Sequence, residues 1–525
     1  MLQRSRVFTA LAVVLLVSAV VTAEVKLPNV IGSNMVLQQQ IPAAVWGWDN
    51  PGQKVTVQFA GQTAAATADQ SGKWMLRLKP LKASAEPRKM TIAGSTTVTL
   101  ENVLVGEVWV CSGQSNMAFN LARATGGNEA AAQADHPTLR LFKVPLKTAR
   151  QPADDVNASW AVSKPDTAKY FTAVGYFFGL DLLQKLDVPV GLIGTSWGGT
   201  RSEAWTRYGC LEAHDSLKPL LNWWDDQAAK YDPEKAQANY EKALAKWKQA
   251  AEKAKLENKR PPRQPRKPNH PRDDRHYPAN LYNAMIAPLV PYSIRGAIWY
   301  QGESNVGRAD QYHTIFPTMI KCWRDDWNQP TNHDFPFYFV QLAPYTYGAA
   351  EADKPQLLPE LWDAQTYTYK TLPNIGFAVT TDVTTIKDIH PPNKLPVGGR
   401  LARWALAKIH GKDVVYSGPI YDRVEFKGGK AIIHFEKGTA ESMKTSDGKA
   451  PDYFTIAGAD KQFHPAEAKI VGNTIVVSAE AVKQPVAVRF AWRNIAEPNL
   501  FNGAGLPASP FRTDDFDLLT KGKDF

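Results

Sequence analysis

One pattern constrains the fold of this chain more than any other. An apolar run of strand length breaks off in a polar corner, and it does so four times. Val108-Trp109-Val110 stops at Ser112-Gly113-Gln114-Ser115, and the run from Val188 to Gly194 stops at Thr195-Ser196-Trp197-Gly198-Gly199-Thr200. Gly296-Ala297-Ile298-Trp299-Tyr300 runs into Gln301-Gly302-Glu303-Ser304-Asn305, and Ile375 to Thr380 leads through Asp382 to Asp388-Ile389-His390-Pro391-Pro392-Asn393-Lys394. Between these runs the period changes to a helical one. Thr172 to Lys185 (apolar Val174, Phe177, Phe178, Leu182), Gln311 to Trp327 and Val397 to His410 read as helices, and a further helix is expected from Asn116. Buried strands alternating with helices imply an α/β domain with a parallel sheet and helices on both faces. In such a sheet all four corners lie near the carboxyl edge, where ligands bind.

The flanks follow a different rhythm. Residues 24–101 carry short alternating runs, among them Val55-Thr56-Val57-Gln58-Phe59 and Trp74-Met75-Leu76-Arg77-Leu78, separated by turn clusters such as Asp49-Asn50-Pro51-Gly52. This spacing predicts an all-β sandwich module. Residues 413–525 return to the same pattern and form a second β module with a closing segment. The α/β domain is therefore expected over 102–214 and 277–412, interrupted by a helical insert at 215–276. In that insert Asp232-Pro233-Glu234 is a strong helix start, and the prolines from Pro261 to Pro268 end the helix. Residues 1–23 read as a signal peptide: Arg4 and Arg6, an apolar stretch from Val7 to Val21, then Val21-Thr22-Ala23 as a cleavage site. The chain is accordingly expected to be exported, periplasmic or extracellular, with no membrane span once the signal is removed.

Charge excludes more than it suggests. The net charge is +10, yet Lys230 to His276 alone hold 14 Lys/Arg against 7 Asp/Glu, so the excess belongs to the insert. Nucleic acid is not an expected partner. The three cysteines, Cys111, Cys210 and Cys322, show no zinc spacing; one pair can bridge and leave an odd thiol. The sixteen tryptophans are a notable excess; part of it is expected in cores, and exposed tryptophan faces would suit stacking on sugars.

The corners supply the parts of acyl transfer: a nucleophile, a base, a group that orients the base, and donors for an oxyanion. Ser115 is the candidate nucleophile and His390 the base, with Asp388 two residues earlier as orienting acid and Asp382 in reserve. Ser112 is expected to cap and pack. The backbone amides of Ser115 and of Gly198 or Gly199, with the side-chain amide of Gln301, can receive the developing charge. Glu303 could orient a strand, a substrate hydroxyl or Arg201.

Together, Ser-Gly-Gln-Ser-Asn-Met (112–117), Ser-Trp-Gly-Gly-Thr (196–200), Trp-Tyr-Gln-Gly-Glu-Ser-Asn (299–305) and Asp-Ile-His-Pro-Pro-Asn-Lys (388–394) resemble the sialate O-acetylesterase family of the SGNH hydrolase superfamily. The resemblance runs from about Leu27 to Phe511. It implies a flavodoxin-like three-layer α/β/α hydrolase domain and a metal-free, cofactor-free serine esterase that removes acetyl groups from O-acetylated sugars. It carries the nucleophile to Ser115, the base to His390 and the acid to Asp388; the commoner superfamily spacing places two residues, not one, between acid and histidine. Relatives of this kind include esterases of plant cell-wall polysaccharides such as xyloglucan or xylan. A non-catalytic carbohydrate-binding protein is the alternative of another class. Oligomeric state is not legible.

Overall fold

The computed structural model describes residues 24–349 and 354–523; the signal segment 1–23 lies outside the described residues. The α/β layer is built on strand β1 (Thr97–Gly113), followed by β2 (His136–Lys143), β3 (Trp160–Ser163), helix α1 (Ala173–Leu186) and β4 (Val190–Ser196). After the insert come β5 (Gly296–Tyr300), α2 (Ala309–Trp327), β6 (Phe337–Val340), α3 (Leu358–Thr371), β7 (Ile375–Ala378) and α4 (Leu395–Lys408). The strands lie in the order β7-β6-β5-β1-β4-β2-β3, all parallel except the β2–β3 pair. Setting aside the β2–β3 hairpin at one edge, the five remaining strands run 2-1-3-4-5 in chain order, the doubly wound order that places ligands at the β1/β5 switch.

Alternation along the strands separates the two helical layers. Tyr338 faces Trp404 of α4 and Trp109, while its neighbours Phe337 and Phe339 face Phe316 of α2. Helices α1 and α4 pack together on one face, and α2 and α3 on the other. Ten of the sixteen tryptophans are buried and the other six half-buried, so most of the surplus fills cores.

Strand β1 passes through residue 101 without a break. Its first half pairs with Ser84–Ala93 and, in parallel, with Val36–Gln38; its second half is the centre of the α/β sheet. The core of the N-terminal β region is thus continuous with that of the α/β layer. The C-terminal strands form two four-stranded sheets around a core of their own, including Ile433, Val477, Ile456 and Phe490. In the insert, helices span Lys218–Ala229 and Pro233–Leu256; the second starts on an Asp232 side chain that accepts from Lys235 N, and it buries no residue. Cys210 and Cys322 form a disulfide that ties the base of the insert to α2, while Cys111 is free and buried. Among the described residues no helix is long and apolar enough to cross a membrane.

Two local expectations are corrected. No helix begins at Asn116: a single turn closed by Ala118 N on Gln114 O is followed by a short 3-10 turn at Leu121–Arg123, and the next helix, of six residues, starts at Gly127. The Asn116 side chain is engaged with distant segments, and the backbone follows it. Ser112 caps nothing; it is a buried residue inside β1 whose hydroxyl has no hydrogen-bond partner.

Candidate active site

The turn that carries Ser115 is fixed by the corners beside it. Gly113 has φ of +138°, and a Cβ there would lie 2.2 Å from Tyr300 O, so only glycine lets β1 approach β5 this closely. Gln114 N donates to Tyr300 O (2.9 Å), and Trp197 N donates to Gly113 O (3.0 Å). Gln114, Asn116 and Met117 are buried, whereas Ser115 is half-buried at the crest of the turn. Gly198 presses on it: a Cβ at 198 would sit 3.2 Å from Ser115 Cβ. Gly199 follows with φ of +70°, and Thr200 braces the corner by donating to Trp197 O (2.7 Å) while accepting from Trp205 Nε1 (2.9 Å).

The histidine loop is tied to the same turn. Asn116 Nδ2 donates to Ile389 O (2.9 Å), and Thr125 N donates to Pro392 O (3.0 Å). His390 Nδ1 lies 3.4 Å from Asp388 Oδ1, and His390 N donates to the same oxygen (2.9 Å). No hydrogen bond joins Ser115 to His390; their chain neighbours are what the structure bonds together. Catalytic hydrogen bonds are commonly long or unmade in unliganded sites. Burial of the His390 ring pulls its pKa below the usual imidazole value; the Asp388 carboxylate opposes this and Lys394 adds to it. Asp382 spends both carboxylate oxygens on Arg400 (2.7 and 2.6 Å), which leaves Asp388 as the carboxylate beside the ring.

Beneath the turn lies a buried polar cluster. Asn116 Nδ2 also donates to Glu303 Oε1 (2.6 Å), and its Oδ1 accepts from Lys394 Nζ (2.5 Å). Lys394 is fully buried, its ammonium 5.1 Å from the ring centroids of both Phe119 and Tyr300. Burial lowers its pKa to about 7, against the pull of Glu303. The Glu303 carboxyl is pushed up by burial, and its Oε2 is shielded without a partner. Glu303 therefore faces Asn116 rather than Arg201.

Gln301 differs from expectation. Its amide nitrogen donates to Thr200 O (3.2 Å) and Asn305 Oδ1 (2.7 Å), and its oxygen accepts from Tyr312 (2.9 Å). Both N–H groups are committed, which corrects its assignment as an oxyanion donor: it braces the 200 and 305 corners. Asn305 continues this network to Glu203, which forms a buried ion pair with Arg308 (2.7 Å). Sequence reasoning missed Asn116 and Lys394 although both stand inside the quoted motifs. Their only signal was a polar residue inside a corner, Asn116 just past the end of β1 and Lys394 at the start of α4. A last cation, Arg275, comes from the end of the basic insert; its guanidinium lies 5.9 Å from the Trp197 ring and beside Gly199.

A profile of the carbohydrate esterase family described as sialic acid-specific acetylesterase matches residues 105–258 and 271–406, a span that contains all four corners. The chain belongs to this family. The chain is similar to the mouse sialate O-acetylesterase, 29% identical over 503 residues (88% of each chain), and to the human one, 27% identical over 525 residues (92% of this chain and 91% of that one). A crystal structure of a carbohydrate acetylesterase from Xanthomonas citri is 34% identical and superposes with a TM-score of 0.78, covering 94% of this chain and 100% of that one. As a family member the chain is a carboxylic ester hydrolase.

Proposed function

We propose that this chain is an exported serine esterase of the SGNH type that removes O-acetyl groups from acetylated carbohydrates through an acyl-enzyme on Ser115. The observation that carries this reading is the Asn116–Ile389 hydrogen bond, which closes the serine turn onto the histidine loop (2.9 Å). With a proton on Nδ1 held toward Asp388, Nε2 of His390 is the basic nitrogen and has no partner among the described residues. Ser115 Oγ attacks the acetyl carbonyl carbon as His390 takes its proton. The carbonyl oxygen gains negative charge, received by the backbone amides of Ser115 and of Gly198 or Gly199. Collapse expels the sugar oxygen, which takes the proton from His390 and leaves acetyl-Ser115. Water, deprotonated by His390, then releases acetate and restores the serine.

The curated relatives act, by name, on sialate O-acetyl esters, and Arg275 beside the Trp197–Gly199 corner favours an acidic sugar of that kind. Deacetylation of xyloglucan or xylan is the alternative within the same chemistry. Acetate release from O-acetylated sialic acid, compared with acetylated xyloglucan and xylan, decides between them. Ser115→Ala is expected to abolish release from the preferred substrate without any metal being added; a fully active Ser115→Ala protein sinks the mechanism.

A further inference from the structure

A cavity of about 450 Å³ opens beside the serine turn. Gly198, which presses on Ser115, forms one wall; Ser196 and Asn120 continue it; Lys143, Leu146 and Tyr170 form the far side. It stands over the carboxyl ends of β2 and β4. Its volume falls within the range of ligand pockets, about 300–1,000 Å³, and far exceeds what a two-carbon acyl group fills. It is a space for what is attached to the acetyl group.

Its walls have a distinctive chemistry. Leu146 and Tyr170 are each 57% exposed, whereas all sixteen tryptophans are buried or half-buried. Two large apolar side chains left in solvent thus flank a cavity that also touches the nucleophile's neighbour Gly198. Lys143 Nζ donates to Tyr170 O (2.7 Å) and so fixes the distance between the two segments, while Lys169, 5.0 Å from the Tyr170 ring centroid, steadies that ring. The side chains of Asn120 and Ser196 make no hydrogen bond to other described residues. An apolar ring face with unspent amide and hydroxyl groups nearby suits a pyranose, whose C–H face stacks on an aromatic while its hydroxyls hydrogen-bond at the edge.

We propose that this cavity is the subsite for the sugar leaving group, with Tyr170 as its stacking platform and Asn120 and Ser196 as hydroxyl partners. The assignment rests on the esterase reading above and names where the alcohol half of the ester sits. The sugar ring lies against Tyr170, and its acetylated oxygen points past Gly198 toward Ser115.

The test uses the full chain and two acetyl esters: glucose pentaacetate, whose ring reaches Tyr170, and ethyl acetate, whose alcohol does not. In Tyr170→Ala the ratio of kcat/KM on the sugar to that on ethyl acetate is expected to fall about tenfold, through KM rather than kcat. Tyr170→Phe, which keeps the ring, is expected to restore the ratio. Equal losses on both esters, or an unchanged ratio, overturn the subsite. A wild-type protein that cleaves neither ester overturns the esterase reading instead. The subsite is then read separately by saturation-transfer NMR of glucose pentaacetate with the Ser115→Ala protein. A signal lost on adding Tyr170→Ala sustains it, and the absence of any signal overturns it.

Discussion

Ser115 is held by its neighbours and leaves its own hydroxyl uncommitted, an arrangement that suits a nucleophile better than a structural serine. Gln114 and Asn116 anchor the turn on either side, and their partners come from the β5 corner and the histidine loop. Ser115→Ala should therefore leave the fold intact and lower acetate release by a factor on the order of 10³ or more; a circular-dichroism spectrum beside the rate measurement separates the two effects. The pH profile gives a sharper test, with opposite signs from two variants. In the proposed mechanism neutral His390 is the active form, so a depressed pKa extends activity to lower pH, and kcat/KM should rise with a midpoint below the ordinary imidazole value near 6.5. The Asp388 carboxylate raises the His390 pKa and Lys394 lowers it. Asp388→Asn should then move the acid limb further down while cutting the rate, and Lys394→Met should move it up. Shifts of the same sign in both variants would rule out His390 as the titrating base. At this scale the sequence showed which residue types occupy each corner but not how their bonds are spent. Gln301 illustrates the gap: an amide at the end of a strand reads as a donor to substrate, yet Thr200, Asn305 and Tyr312, from two other elements and its own loop, use its polar atoms.

The elements obey the patterns that packing enforces and depart from them where a side chain has a task. Helices α1, α2 and α4 begin and end within two residues of the positions their apolar periodicity indicates, because each buries a stripe against the sheet. The expected helix at Asn116 fails for the opposite reason: its first residue is bound to Glu303, Ile389 and Lys394, and no apolar stripe repays a helical path. The close approach of Gly198 to Ser115 is likewise a matter of elements, since it sets how near the 197–200 corner stands to the serine turn. Gly198→Ala puts a methyl group 3.2 Å from Ser115 Cβ and must push the two corners apart. The expected outcome is a loss of kcat of about 10²-fold, the scale of one displaced oxyanion donor, with little change in melting temperature. A variant as active as wild type would show that the corner contributes nothing to the reaction. The Cys210–Cys322 bridge works between elements too, closing 112 residues of chain around the insert. Cys322→Ser should lower stability by about 2–5 kcal/mol, read from urea unfolding of the oxidised protein. Sequence spacing could not choose that pair, because 112 residues of separation say nothing about two cysteines meeting across α2.

At the scale of the molecule, the C-terminal module is fastened to the α/β layer and the insert helix is not. Arg512 pairs with Asp363 of α3 (3.0 Å), and Glu360 of the same helix accepts from Leu519 N (2.6 Å) and Thr520 N (3.0 Å). The closing segment therefore clamps α3, whose far side supports the sheet. The insert helix Pro233–Leu256 buries nothing, and its Trp247 bonds only within the insert, to Pro262 O (2.8 Å). The two ends of the excursion meet, since the Tyr231 and His270 rings lie 5.1 Å apart. Excising residues 232–269 and joining the ends with a short Gly-Ser linker should thus leave the melting temperature within about 2 °C of wild type, the scale of a change of about 1–2 kcal/mol in a chain of this size. What should change is charge. Arg263 and Arg266 lie in the excised arm and stand close enough to Arg275 to repel it, so they add to the positive field at the Trp197–Gly199 corner. If that field draws an acidic acetylated sugar toward Ser115, kcat/KM for O-acetylated sialic acid falls with rising salt in the wild type, and the excised protein loses much of that dependence. Ethyl acetate, which carries no charge, should show no salt dependence in either protein. An excised enzyme that keeps the full salt dependence on the acidic sugar would remove the insert from substrate capture and leave Arg275 alone as the source of any preference for charge.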